Sequence, residues 1–276
     1  MSDKLNHYLK KWNLSNPQLL AETATSHVYS VEMNGETFAL KLLTPIGVHD
    51  ESPGTIALDC WAGNGAVRLF QYDDEAQLME YIDGTDLVQM VENGDDEQAT
   101  IIIAETLNKI HSAYNGKPPD GLWALKRRFR SLFEKAEQDK LEGIDSVFRR
   151  AAPFVQNLLD NQQEERILHG DMHHWNMRYH AKRGWLTFDP KGVYGERSFD
   201  AANTLCNPVI MPELVTDEKR LLRNAEILAK HLHIDLSRIL AYTFAYTCLS
   251  VAWSLEDDQN PYPTVKLAEI LETHVL

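Results

Sequence analysis

Hydrophobic positions along this chain change their period near residue 82, and the change divides the chain into two unequal parts. Leu5, Tyr8, Leu9 and Trp12 recur at helical spacing, so the chain opens on a short amphipathic helix that Asn16-Pro17 brings to an end. From residue 18 to 43 the pattern is extended and rich in β-formers, Val28, Tyr29, Val31, Phe38, Leu40 and Leu42 among them. Asn34-Gly35 is a strong two-residue hairpin signal within it. These features predict three antiparallel strands over 18–23, 27–33 and 36–43. A helix is expected over 55–61; strand character then returns in GNGAVRLFQY, turns at Asp73-Asp74 and resumes in AQLMEYI. The result is a five-stranded antiparallel sheet with one helix inserted after its third strand.

Beyond Ile82-Asp83-Gly84 the pattern is helical. Residues 96–113 carry Ala99, Ile102, Ile103, Leu107 and Ile110 on one face, and 122–136 and 146–159 are further helical runs. Helices recur over 200–206, 216–232, 235–255 and 262–273, with Asn207-Pro208 and Asn260-Pro261 as breaks. The expected protein is α+β and two-lobed, with a small sheet lobe over 1–82 and a larger, mainly helical lobe over 83–276. A chain of 276 residues is long enough for both.

One stretch breaks the helical pattern: ILHGDMHHWNM followed by YHAKRGWLTFDP, residues 167–189. Residues 166–168 and 184–188 read as two brief strands, and the loop and hairpin between them bring Asp171, Asn176 and Asp189 to one end. An aspartate five residues before an asparagine, with a second aspartate on the next hairpin, is a spacing that phosphoryl transfer uses. In that chemistry Asp171 orients or deprotonates an attacking hydroxyl, while Asn176 and Asp189 offer the oxygen atoms that suit Mg2+. Lys41, flanked by apolar residues in FALKLL, sits where strand alternation turns a side chain toward a cleft and its phosphates. Taken alone, it reads as an ordinary solvent-facing lysine. The same stretch admits a second chemistry, because His169, Asp171, His173 and His174 form a dense set of zinc or iron ligands. Against a metal hydrolase, no HExxH or second HxH element completes a shell.

Composition narrows the partners. With 41 acidic against 27 basic side chains the net charge is −14, which disfavours nucleic acid and anionic membranes and agrees with a cationic ligand, although solubility alone accounts for it. Cys60, Cys206 and Cys248 are far apart and read as reduced thiols, and no apolar run has the length of a signal peptide or membrane span. A cytoplasmic protein is expected; its oligomeric state is not written in the sequence. The cluster Lys126, Arg127, Arg128 and Arg130 reads as a solvated helix face.

LHGDMHHWNM with the downstream GWLTFDPKGVYGERSFDAANTLCNP resembles the aminoglycoside phosphotransferase family, in its branch of streptomycin 6-phosphotransferases and hydroxyurea phosphotransferases. WNLSNPQLLAETATSHVYSV, WAGNGAVRLF, LMEYIDG and AYTCLSVAWSLEDD extend the resemblance over nearly the whole chain. The resemblance implies a protein-kinase-like fold, ATP and Mg2+, and a hydroxyl on a small cationic antibiotic as acceptor. It makes Asp171 the base, Asn176 and Asp189 the metal ligands, and Lys41 the lysine that meets the phosphates. Glu80, Tyr81 and Ile82 match a hinge whose backbone bonds adenine, and Asp200 and His169 match groups that support the catalytic loop. Segment 22–27, expected over the phosphates, has no glycine and offers the hydroxyls of Thr25 and Ser26 instead. Glu51 is the nearest partner for Lys41, in a region interrupted by Pro53 and Gly54. Glu256, Asp257 and Asp258, beside Trp253, are the expected acidic rim of the acceptor site. Two other functions fit the same resemblance: a metabolic small-alcohol kinase, and a nonenzymatic ATP-binding regulatory protein.

Overall fold

The computed structural model describes residues 3–276. Helix α1 (Asp3–Lys11) precedes strands β1 (Ser15–Glu22), β2 (Ser26–Met33) and β3 (Glu36–Leu43). Helix α2 (Pro45–Trp61), β4 (Leu69–Asp73) and β5 (Ala76–Glu80) complete the first part of the chain. The five strands form one antiparallel sheet in the order β1-β2-β3-β5-β4. Asn34 and Gly35, with φ of 53° and 83°, make the β2–β3 turn and set Met33 opposite Glu36. Positive φ at both positions is what a tight hairpin needs, and asparagine and glycine tolerate it best.

Alternation along β3 decides what faces the cleft. Phe38, Leu40 and Leu42 join Leu5 and Tyr8 of α1 in one apolar cluster. Ala39 and Lys41 therefore point to the opposite face.

Three expectations for this part are corrected. Strand β1 starts at Ser15, earlier than residue 18. Helix α2 starts at Pro45, ten residues before 55, with Thr44 as its N-cap accepting from the Gly47 N–H at 3.2 Å. It continues through Pro53-Gly54, which pack against another backbone. A Cβ on Gly54 would stand 2.1 Å from the Pro190 carbonyl oxygen, and one on Gly192 would stand 1.9 Å from that of Pro53. Strand β4 starts at Leu69, later than expected, because the residues before it serve the other lobe: Thr187 N–H donates to Gly65 O and Val67 N–H to Thr187 O, both at 3.0 Å.

The rest of the chain begins with helices α3 (Val88–Glu92) and α4 (Asp96–Ala113). The expected helix over 122–136 is divided into a two-residue strand, β6 (Trp123–Ala124), and helices α5 (Leu125–Arg128) and α6 (Arg130–Leu141), because Trp123 and Ala124 add to a sheet edge. Helix α7 (Val147–Asp160) leads to β7 (Glu165–Leu168), β8 (Met177–His180), β9 (Gly184–Thr187) and β10 (Val193–Glu196). Strands β6-β10-β7 form one small sheet and β8-β9 a hairpin, and the two frame residues 169–192. Helices α8 (Ser198–Leu205), α9 (Pro212–Val215), α10 (Glu218–Leu232), α11 (Leu236–Glu256) and α12 (Thr264–Val275) close the fold. Their core includes Ala57, Leu58 and Trp61, so the C-terminal half of α2 is buried among the helices although it precedes β5 in sequence. Among the described residues, no helix is long and apolar enough to cross a membrane.

Candidate active site

A cavity of about 510 Å3 opens between the sheet and the β8–β9 hairpin. Val28, Ala39 and Lys41 line it from the sheet, Tyr81 and Ile82 from the segment after β5, and Phe188 and Asp189 from the segment after β9.

Lys41 is 7% exposed and lies between two carboxylates. It donates to Asp189 Oδ1 at 2.5 Å and forms an ion pair with Glu51, which α2 brings up from below. Burial disfavours its charge, but Asp189 and Glu51 outweigh burial and raise its pKa. Asp189 also pairs with Lys191 at 3.3 Å. Burial opposes its ionisation, yet the two lysines hold its pKa well below the usual carboxylate range. Its φ of 58° is a left-handed conformation uncommon for a residue with a side chain. The turn is fixed by the Lys191 N–H, which donates to His169 O at 2.7 Å, and by the contact of 190–192 with α2.

Asp171 is held differently. Asn203 Nδ2 donates to its Oδ1 at 2.8 Å, and Asn176 Nδ2 donates to its backbone carbonyl at 2.9 Å. His173 Nε2 stands 3.7 Å from Oδ2, too far for a good hydrogen bond, and acts on it through space. Burial works against the Asp171 charge, but His173, Lys191 and His169 prevail and lower its pKa. The loop itself hangs on Asp200, whose oxygens accept from the His169 N–H at 2.8 Å and the Gly170 N–H at 2.7 Å. His111 on α4 fixes the same carboxylate at 2.8 Å.

The histidines do not converge. Burial lowers the pKa of His169, whose Nε2 donates to the Phe188 carbonyl at 3.0 Å while Nδ1 accepts the Asp171 N–H at 3.3 Å. Its ring also stacks on Trp61 of α2, with centroids 6.3 Å apart. His174 is buried on the other side of the loop, where burial and the charge of Arg220 push its pKa down to about 3. Among the described residues, no group of three or more His, Cys, Asp or Glu side chains is placed to hold a metal together.

Of the residues expected over the phosphates, Ser26 lines the cavity, whereas the carbonyl of Thr25 accepts the Thr44 N–H at 2.8 Å. Thr23, which the sequence reading passed over, organises this turn: its hydroxyl accepts from the N–H groups of Thr25 at 3.3 Å and Ser26 at 3.0 Å. Side-chain and cap bonds thus replace glycine in shaping the loop. At the expected hinge the Glu80 N–H is already committed to Arg68 O at 2.8 Å, and the Glu80 carboxylate pairs with Arg183 of the β8–β9 turn.

Asn203, Lys191 and His111 were also missed. Asn203 had a signal, because it lies three residues after Asp200 on α8 and so shares its helix face. For His111 there was none, since it is far from the motif in sequence.

On the expected acceptor side, Glu256, Asp257 and Asp258 are exposed at the end of α11. Trp253 instead lines a second cavity of about 350 Å3 with Asp50, Trp123, Arg127, Arg128 and Arg130 among its other walls. Arg128 stacks over the Trp253 ring at 4.8 Å and Arg127 over Trp123 at 4.2 Å.

A sequence profile of the aminoglycoside/hydroxyurea antibiotic resistance kinases matches residues 11–258. The chain belongs to this family. It is a phosphotransferase with an alcohol group as acceptor, and the hydrolase and nonenzymatic readings fall with that finding. The enzyme is 33% identical to a streptomycin 3''-kinase of Klebsiella pneumoniae, over 90% of this chain and 91% of that one. It is 30% identical to a streptomycin 6-kinase of Streptomyces griseus, over 81% and 73% of the two chains. In fold it is similar to an amicoumacin kinase solved with AMP-PNP, Ca2+ and Ami, with a TM-score of 0.68 at 16% identity over 99% of this chain and 93% of that one. The enzyme therefore has the two-lobed, protein-kinase-like fold, its sheet lobe and helical lobe meeting at the cleft that holds Lys41 and Asp189.

Proposed function

We propose that this enzyme transfers the γ-phosphoryl group of ATP, with Mg2+, to a hydroxyl of a small cationic molecule, and that aminoglycosides of the streptomycin type are its first substrates. The observation that carries the reading is one cleft ending on Lys41 and Asp189, with Asp171 held nearby by neutral amides. The streptomycin kinases among its relatives supply the acceptor class.

The backbone of Tyr81 and Ile82 meets adenine, and Lys41 neutralises phosphate oxygens at the far end. Asn176 and Asp189 present amide and carboxylate oxygens, a donor set that fits Mg2+; the ion supplies charge neutralisation at the transferred group. With Oδ1 fixed by Asn203 and Oδ2 hydrogen-bonded only by a long 3.5 Å contact from Asn176 Nδ2, Asp171 uses Oδ2 to orient the acceptor hydroxyl. Its lowered pKa makes it a weak base, so it positions the hydroxyl first and accepts the proton late, in keeping with a loose transition state. We place the reaction in the cytoplasm, where ATP is supplied.

The test is incubation of the purified enzyme with Mg-ATP and streptomycin, read by the mass of the product. A phosphorylated streptomycin is expected; no product from any aminoglycoside in a panel sinks the acceptor assignment. A second reading, a metabolic small-alcohol kinase, draws support from the arginines around Trp253, which repel a polycation. Turnover of uncharged polyols, with none of streptomycin, would select it.

A further inference from the structure

Arg178 takes no part in the chemistry described so far, yet it lines the nucleotide cavity. It lies on β8, two residues after Asn176. Its Nε donates to the Asp86 carboxylate at 2.7 Å, and the two residues are also antiparallel backbone partners. Its guanidinium carbon lies 5.7 Å from the centre of the Phe188 ring. Asp86 follows Ile82 by four residues, so the Arg178–Asp86 pair belongs to the hinge end of the cleft rather than to the end marked by Lys41 and Asp189. Leu20, Val28 and Ala39 of the sheet form the other wall.

We propose that the Arg178 guanidinium is the floor of the slot for the nucleotide base, stacking on the purine face while Asp86 fixes its plane. The inference rests on the reading that this cleft binds ATP. Three observations support it. The apolar sheet wall and a planar cation are the two sides of a slot suited to an aromatic ring. The carboxylate of Asp86 compensates the charge of Arg178 and restrains it from reaching toward the triphosphate. Lys41 and Lys191 already supply positive charge at the phosphate end. A stacked guanidinium reads the π-face and not the base edge, so it favours purines as a class and leaves the choice between adenine and guanine to the backbone of Tyr81 and Ile82.

Adenosine separates this role from phosphate attraction because it has no phosphate. Its equilibrium dissociation constant, together with KM for ATP and kcat, is measured for the wild type, Arg178→Leu, Arg178→Lys and Asp86→Asn. Arg178→Leu is expected to weaken adenosine by about fivefold to tenfold, with a matching rise in KM for ATP that exceeds any fall in kcat. Arg178→Lys keeps the charge and the partner but loses the plane, and is expected to weaken adenosine nearly as much. Asp86→Asn gives a smaller loss. If Arg178→Leu does not fold, the lysine variant decides. Wild-type adenosine affinity in Arg178→Lys or Arg178→Leu overturns the stacking role alone. Failure of the wild type to bind adenosine overturns the cleft assignment, and this inference with it.

Discussion

The loop around Asp171 and the turn around Asp189 each bring one aspartate to the candidate active site, and they hold it by opposite means. Asp189 is met by two lysines from different elements, Lys41 on β3 and Lys191 in its own turn. Asp171 is met by amides, Asn203 on its carboxylate and Asn176 on its carbonyl and, at 3.5 Å, on Oδ2. Two salt bridges lock the Asp189 carboxylate in the charged state; at the Asp171 carboxylate the short bond is a neutral amide, the cations act from farther off, and Oδ2 keeps only long contacts. The difference matches the work proposed for each. A group that faces phosphates and a metal must stay anionic, whereas a group that orients a hydroxyl must be aimed.

Substitutions break or sharpen this contrast in order of effect. Asp171→Ala is expected to lower kcat by about 10^2- to 10^4-fold while ATP binding, followed by nucleotide fluorescence, is largely kept. Turnover that survives would remove Asp171 from the chemistry. Lys41→Met acts on stability as well as activity, because it leaves the buried Glu51 without its cation. A cost of about 3–5 kcal/mol is expected in denaturant unfolding. Adding Glu51→Gln should recover most of the stability and none of the ATP affinity.

Asn203→Ala removes one hydrogen bond to a charged group, about 1.5–3 kcal/mol, and should lower kcat about tenfold to a hundredfold. It should also move the acidic limb of the pH–rate profile upward, since the Asp171 carboxylate loses a donor that favours its charged form. An unmoved limb would mean that Asn203 only shapes the loop.

The smallest effect on catalysis comes from a residue that acts on how the loop is kept. His174 is buried and its pKa is pushed from 6.5 down to about 3. Below pH 6.5 the unfolded chain binds a proton that the folded chain refuses. Stability therefore falls as pH drops from about 6.5 toward 3, by at most about 1.4 kcal/mol per pH unit from this residue. Carboxylates such as Asp189 and Asp171, whose pKa values are lowered, add a loss of the same sign only as pH falls below their unfolded range. His174→Leu should flatten the thermal-stability profile between pH 6.5 and 4.5; an unchanged slope would show that the loop opens to protonate His174 without unfolding.

What could be read from the sequence was local. The Asn34-Gly35 hairpin, the alternation that turns Lys41 to the cleft side, and the spacing of Asp171, Asn176 and Asp189 each depend on neighbours within a strand, turn or loop. These are set by period and turn chemistry, which one stretch of chain contains in full. Composition added little, since the net charge of −14 describes the whole surface while the cavity beside Trp253 is lined by arginines.

Tertiary structure decided how those pieces are held. Pro53-Gly54 looks like a helix break in the sequence, but it is the place where α2 passes close against Pro190 and Gly192. The same helix carries Glu51 to Lys41 and Trp61 to His169, so one element touches both aspartate regions. No local pattern encodes the contacts with Pro190, Gly192 and His169, because those partners are more than 100 residues away and a helix's propensity does not know what it will pack against. Sequence named the candidate groups, and the packing of α2, α4 and α8 around them determined how each is held, by ion pairs, by amides or by burial.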